Sequence, residues 1–175
     1  GIVFPHIKDA DDADRCARSM RYAPQGLRGV SRMVRATNFG ENFVEYYNHQ
    51  RENLLCVLQI ETMEALNNLD QIASIEEIDV LFIGPSDLSM ALGIYGQLDH
   101  EKFLEAEAKI IKAAMKYNKA IGTLLFDPEH FQQYYDKGVR FFAYGNDAHF
   151  LSNGARMVAQ KLKASVTANI GTKIK

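Results

Sequence analysis

Leu54-Leu55-Cys56-Val57-Leu58-Gln59-Ile60-Glu61-Thr62 and, downstream, Val80-Leu81-Phe82-Ile83-Gly84-Pro85-Ser86-Asp87 share one form. Each is a short apolar run rich in branched side chains that ends abruptly on polar or turn-forming residues and then a carboxylate. Strict apolar/polar alternation marks a strand with one wet face, whereas an unbroken apolar run marks a strand covered on both faces, as in parallel sheets. Three further runs have the same character: Ile2–Ile7, Ala120–Leu125 and Val139–Tyr144. Amphipathic stretches separate them, predicting helices over Ala10–Tyr22, Asn42–Glu52, Met63–Leu69, His100–Asn118, Pro128–Lys137 and Asp147–Leu162. Asp9, Asp99, Asp127 and Asn146 stand where N-caps belong, Pro128 suits a first helical turn, and Gly138 suits a helix C-terminus feeding a strand. The order is βαβα with five strands, an α/β fold with a parallel sheet.

Two segments exceed a minimal βα unit, Pro24–Phe39 and Gly84–Asp99, and both are expected to be functional loops. Residues 1–163 are read as one unit and 164–175 as a flexible C-terminal tail. The chain has 175 residues, below the roughly 250 of a complete eight-stranded βα barrel. Its net charge of −2 supplies no general attraction to polyanions, so nucleic acid is not an expected partner. No run approaches the roughly 18 apolar residues of a membrane span. Gly1–Ile7 lacks the length and basic flank of a signal peptide, so no membrane partner is expected. Cys16 and Cys56 match no zinc or redox spacing and read as reduced thiols of a cytoplasmic protein.

Glu61 and Asp87 each follow the end of a strand, on the C-terminal rim where barrel active sites sit. Adjacent parallel strands lie about 4.8 Å apart, so two carboxylates at one height can share a divalent cation. Hard oxygen donors favour magnesium or manganese, with cobalt or zinc as options for a more permissive site. Either acid alone is equally consistent with a carboxylate that caps a helix or complements its dipole. The residues by themselves leave both readings open.

Phe4-Pro5-His6, Gly26-Leu27-Arg28-Gly29-Val30, Gln59-Ile60-Glu61-Thr62 and Gly84-Pro85-Ser86-Asp87-Leu88-Ser89 together resemble the HpcH/HpaI family of class II pyruvate aldolases, in order and spacing, over residues 1 to about 163. The resemblance implies a partial (β/α)8 TIM-type barrel holding five parallel strands with their helices, the first three strands missing. It implies a metal-dependent lyase that cleaves or forms 4-hydroxy-2-oxo acids through a metal-bound pyruvate enolate, with Glu61 and Asp87 as metal ligands. Gln59, Gly84, Pro85, Ser86 and Leu124 then line the place of a small 2-oxo acid such as pyruvate. A homo-oligomer is implied, commonly a hexamer in the family, with the C-terminal helix packed across subunits. The family's catalytic His and substrate Arg have no matching position in this chain, so the isolated chain is expected to bind metal weakly and turn over poorly. Rival readings are a non-catalytic half-barrel assembly module, or macrophomate-synthase-like or citrate-lyase-like carbon–carbon chemistry on the same site.

Other signals carry less. Arg15, Arg18, Arg21, Arg28, Arg32 and Arg35 form a basic patch suited to substrate approach, a subunit interface or simple solvation. The five histidines lack the spacing of a helical zinc pair. No lysine sits inside a strand, which disfavours imine chemistry, and no Gly-x-Ser-x-Gly is present to support a serine nucleophile. Phe39, Phe43, Tyr46 and Tyr47 read as core or interface aromatics.

Overall fold

A computed structural model of the chain describes residues 1–172, with side chains described through residue 166. The strands are β1 (Ile2–Phe4), β2 (Cys56–Ile60), β3 (Val80–Ile83), β4 (Ala120–Leu125) and β5 (Phe141–Tyr144). The helices are α1 (Ala10–Ser19), α2 (Phe43–Asn53), α3 (Met63–Asn67), α4 (Leu69–Ala73), α5 (Pro85–Ala91), α6 (Glu101–Lys116), α7 (Phe131–Asp136) and α8 (Asp147–Thr172). All strand pairs are parallel, in the order β1-β2-β3-β4-β5, and the sheet curls into a half-barrel. The expected partial α/β barrel is therefore the observed fold.

Side-chain parity divides the sheet into two layers. Leu58, Ile60, Leu81, Ile83 and Ile121 face the helices and pack with Ala13, Ala17, Ile72, Leu88, Ile110 and Ala114. Burying each large aliphatic side chain is worth about 1.5–3 kcal/mol, which makes this the main source of cohesion. Val57, Val80 and Phe82 point to the concave side, where Leu124, Phe141 and Ala143 pack on them. The arc has two open edges: β1 pairs on one side with β2, and β5 on one side with β4. Ile2 and Val3 on the first edge are 47% and 45% exposed, as expected of strands that border an unfinished barrel wall.

Several boundaries differ from the sequence reading. The first strand stops at Phe4 because Pro5 offers no N–H and His6 adopts φ 54°. The last strand begins at Phe141, two residues later than expected. The first helix ends at Ser19, and its chain then turns tightly, with Arg28 N–H donating to the Arg21 carbonyl. The expected helix over Met63–Leu69 is instead two short helices meeting at Asn68. The segment Pro128–Lys137 opens with a 3-10 turn, Pro128–His130, before α7. Residues Gly84–Asp99, expected as a loop, contain helix α5, begun by Pro85 in its first turn. Residues Pro24–Phe39 carry the start of a 3-10 segment, Arg35–Gly40. The final helix runs to Thr172, so residues 164–172 of the expected tail are helical, and residues 173–175 lie outside those described.

Asp9, Asp127 and Asn146 cap helices as expected, accepting from the N–H groups of Asp12, Glu129 and His149. The cap of α6 is His100 rather than Asp99, its Nδ1 accepting from Lys102 N–H. Gly138 has φ 96°, the left-handed conformation its expected role demands.

Candidate active site

Parity also decides what faces the concave side at the C-terminal rim. Val57 points inward, so Gln59 and Glu61, two and four residues on, share its face; Phe82 likewise sets the side of Gly84. The register Ile60↔Ile83↔Thr123 places Glu61, Gly84 and Leu124 at one height on three adjacent strands. Four of the expected site residues, Gln59, Glu61, Gly84 and Leu124, therefore lie together on the inner wall.

Glu61 is 3% exposed, a carboxylate buried where the strand ends. Its Oε1 accepts from the backbone N–H of His6 at 2.9 Å, across to the first strand. The left-handed turn at His6 aims that N–H, and Thr62 reinforces it by donating its Oγ1 hydroxyl to the Ile7 carbonyl at 2.9 Å. On the other side Oε2 lies against Gly84: a Cβ built there would stand 2.2 Å from Oε2. Gly84 has φ −89°, open to any residue, so the glycine is required by this close approach and not by its backbone angles. A charge buried this deeply is stable only with partners in place.

Glu61 does not cap the helix that follows it. That role belongs to Thr62, whose Oγ1 accepts from Ala65 N–H. Asp87 is different: it is exposed in the first turn of α5, where a carboxylate also complements the helix dipole. Pro85 is buried beside Gly84, and Ser86 is half-buried. The first bond within this helix is Leu88 N–H to Gly84 O, 2.9 Å, which leaves the Ser86 and Asp87 N–H groups at the rim outside the helical ladder. Ser89 is spent structurally, donating to Ser86 O at 2.9 Å and accepting from Gly96 N–H at 3.1 Å. Thr123 Oγ1 donates to Ile83 O at 3.4 Å, steadying the strand end that leads into Gly84.

The donor set suits a hard divalent cation. Magnesium and manganese are commonly held by one or two carboxylates, with water and substrate oxygens completing the shell. Among the described residues no group of three or more His, Cys, Asp and Glu gathers as a metal cage. Glu61, fixed at Oε1 and pressed against a glycine at Oε2, and Asp87 beyond that glycine fit such an open site.

His6, at a strand end and so open to a supporting role, takes part through its backbone N–H, and Thr62 is a participant that sequence reasoning did not assign. Pro5 was the available signal, because a proline at a strand end forces the chain to turn there. The basic patch is only partly solvated: Arg28 stacks over Tyr22 at 4.6 Å and donates to Tyr46 Oη at 2.8 Å, while Arg32 lies 5.3 Å over Phe43. Within the aromatic cluster Phe43 and Tyr46 are cation–π partners, Tyr47 is stacked on Tyr22 at 5.7 Å, and Phe39 is exposed. Cys16 and Cys56 are both free.

A family model described as HpcH/HpaI aldolase/citrate lyase matches residues 1–154. A 4-hydroxy-2-oxo-heptane-1,7-dioate aldolase of Klebsiella pneumoniae is 36% identical over 168 residues, 95% of this chain and 63% of that protein. A hydroxypyruvate/pyruvate aldolase of Pseudomonas aeruginosa is 34% identical over 167 residues, 95% of this chain and 62% of that protein. The crystal structure of an HpcH/HpaI aldolase/citrate lyase family protein from Burkholderia cenocepacia superposes with a TM-score of 0.83 at 30% identity, covering 92% of this chain and 64% of that one. The chain thus spans less than two thirds of the length of each.

Proposed function

Because the chain belongs to the HpcH/HpaI aldolase/citrate lyase family, we propose that this protein is a metal-dependent aldolase, cleaving or forming 4-hydroxy-2-oxo acids with pyruvate as the shared fragment. The observation that carries the reading is Glu61, a buried carboxylate on the inner wall at the C-terminal rim, held by His6 N–H and seated against Gly84. The names of the Klebsiella and Pseudomonas relatives support the substrate class.

In this reading Glu61 and Asp87 hold a divalent cation, magnesium or manganese. When bound, such an ion supplies Lewis-acid polarisation of a keto oxygen and stabilises the negative charge that develops as a carbon–carbon bond breaks. The protein's own part is positioning. His6 N–H withdraws Oε1 from competition and fixes the carboxylate plane, so the ligand pays no reorganisation when substrate arrives. Ser86 and Asp87 offer N–H donors to a substrate carboxylate, Gln59 offers an amide on the same wall, and Leu124 closes the site with an apolar side chain. The proton-transfer group and the cationic partner for substrate are assigned to no residue of this chain, and turnover by the chain alone is expected to be low.

The reading extends to a homo-oligomer, a hexamer by family precedent. Helix α8 leaves Phe150, Leu151, Val158 and Leu162 exposed along its length, an apolar face suited to a neighbouring subunit. A cytoplasmic location accords with two free thiols. No helix among the described residues is long and apolar enough to cross a membrane.

The test is pyruvate release from a 4-hydroxy-2-oxo acid with manganese or magnesium, run beside metal-dependent thermal stabilisation, on the wild type, Glu61→Ala and Asp87→Ala. Metal is expected to raise the wild-type unfolding temperature and to leave both variants unmoved, with any turnover lost in both. Equal metal stabilisation of all three proteins would refute the assignment of the site.

A further inference from the structure

At the end of the sheet where the strands begin, opposite Glu61, Arg21 is 5% exposed, and its Nε and Nη1 have no hydrogen-bond partner among the described residues. Gln50, near the end of α2, has a buried Oε1 that is also without a partner among them. Both line one cavity of about 220 Å³, with Tyr22, Tyr47, Arg51 and Glu77 in its wall. A guanidinium held from water with Nε and Nη1 unbonded is costly, and an orphan acceptor in the same cavity wall adds to the cost. The backbone at Arg21 is held in place and does not bend away. Arg28 N–H donates to Arg21 O at 2.9 Å, and Gly26 lies so close that a Cβ there would stand 2.2 Å from the same oxygen. That tight turn anchors the backbone from which Arg21 projects.

The unmet groups define their complement. Arg21 calls for oxyanion acceptors, and Gln50 Oε1 calls for a hydroxyl donor. Arg51 is already engaged with Glu76, at 3.3 Å, and Glu77 brings a carboxylate that disfavours a ligand of acceptor oxygens alone. At about 30 Å³ for each water in the liquid, the cavity has room for roughly seven water volumes, the scale of an anion of five to seven heavy atoms. We propose that this cavity is a second binding site, separate from the rim, for a small hydroxylated oxyanion: hydrogen phosphate, or a short hydroxycarboxylate presenting the same acceptor and donor pair. The stacked Tyr22 and Tyr47 pair forms part of its wall, and the site needs no metal.

The experiment is calorimetric titration with thermal unfolding of this chain, at constant ionic strength and without metal, using inorganic phosphate, sulfate and glycolate as probes. Phosphate or glycolate is expected to bind and raise the unfolding temperature, and the tighter of the two identifies the source. Sulfate, equal in shape to phosphate but without a proton to donate near neutral pH, is expected to bind roughly tenfold more weakly. Arg21→Met should weaken binding by roughly tenfold or more, Gln50→Leu should erase the preference for phosphate over sulfate, and Glu61→Ala should leave the anion affinity at its wild-type value. Should Arg21→Met fail to fold, the Gln50→Leu comparison still decides. Absence of binding, equal affinity for sulfate and phosphate, or binding that Gln50→Leu leaves unaltered would overturn the proposal. A change of anion affinity in Glu61→Ala, in either direction, would place the anion near the rim carboxylate and overturn it too.

Discussion

Replacing Gly84 by alanine adds one methyl group where the structure has no room for it. The new Cβ would stand 2.2 Å from Glu61 Oε2, 3.0 Å from its Cβ and 3.2 Å from its Cδ, whereas ordinary contact begins at 3.4 Å. The carboxylate must therefore retreat by about 1.2 Å (3.4 minus 2.2), and it is pinned on its far side by the 2.9 Å bond from His6 N–H. A hydrogen bond to a charged group is worth about 1.5–3 kcal/mol, and a tightly packed site resists an added methyl by a further 1–3 kcal/mol. The expected cost of Gly84→Ala is about 3 kcal/mol. Backbone preference does not contribute to it, because φ is −89° at this glycine. Urea denaturation of the wild type, Gly84→Ala, Glu61→Ala and the double variant forms a closed cycle. Removing the Glu61 carboxylate first leaves only the 3.0 Å contact with the Cβ that alanine retains and should take away most of the cost, giving a coupling of at least about 1.5 kcal/mol. A coupling below about 0.5 kcal/mol, the level at which independent sites add, would show that Glu61 does not sit against Gly84 as described.

Two further outcomes are expected. Glu107 is 3% exposed, its Oε2 bonded to Lys137 Nζ at 2.5 Å and its Oε1 unpartnered among the described residues; Lys137→Met should therefore cost about 3 kcal/mol in denaturant titration, with most of it recovered when Glu107→Leu is added. Burial, with Asp79 nearby adding to it, pushes the Cys56 thiol from 9.0 up to about 12. The unfolded chain thus loses this proton near pH 9 while the folded chain keeps it, so native stability is whole below pH 9 and falls between pH 9 and 12, by up to about 1.4 kcal/mol per unit. Stability curves against pH for the wild type and Cys56→Ala should diverge above pH 9 and run parallel below it, and parallel curves throughout would contradict the burial argument.

The unbroken apolar runs at Cys56–Ile60 and Val80–Ile83 announced covered parallel strands, and their endings at Glu61 and Gly84 marked the rim. These signals are local: strand character, helix periodicity and capping depend on neighbours within a few residues, so composition and spacing suffice to read them. Asp9 and Asp127 were legible as caps for that reason, and Asp99 was misjudged because its neighbour His100 could fill the same position. Helix α5 was missed because its seven residues are too few for a periodic pattern, and the first strand was drawn too long because Pro5 ends it without interrupting the apolar run.

The sequence by itself thus determined that this is a βα-repeat chain with a carboxylate shortly beyond the end of each of two neighbouring strands. Only the tertiary structure decided that His6 N–H holds Glu61, that Gly84 exists to let Oε2 approach, and that Arg21 and Gln50 are left unpartnered across one cavity. Each of those facts joins residues far apart in the chain, and each depends on strand register and on the direction of a single N–H or side chain. Such contacts are set by packing after the local elements have formed, and no local pattern encodes them.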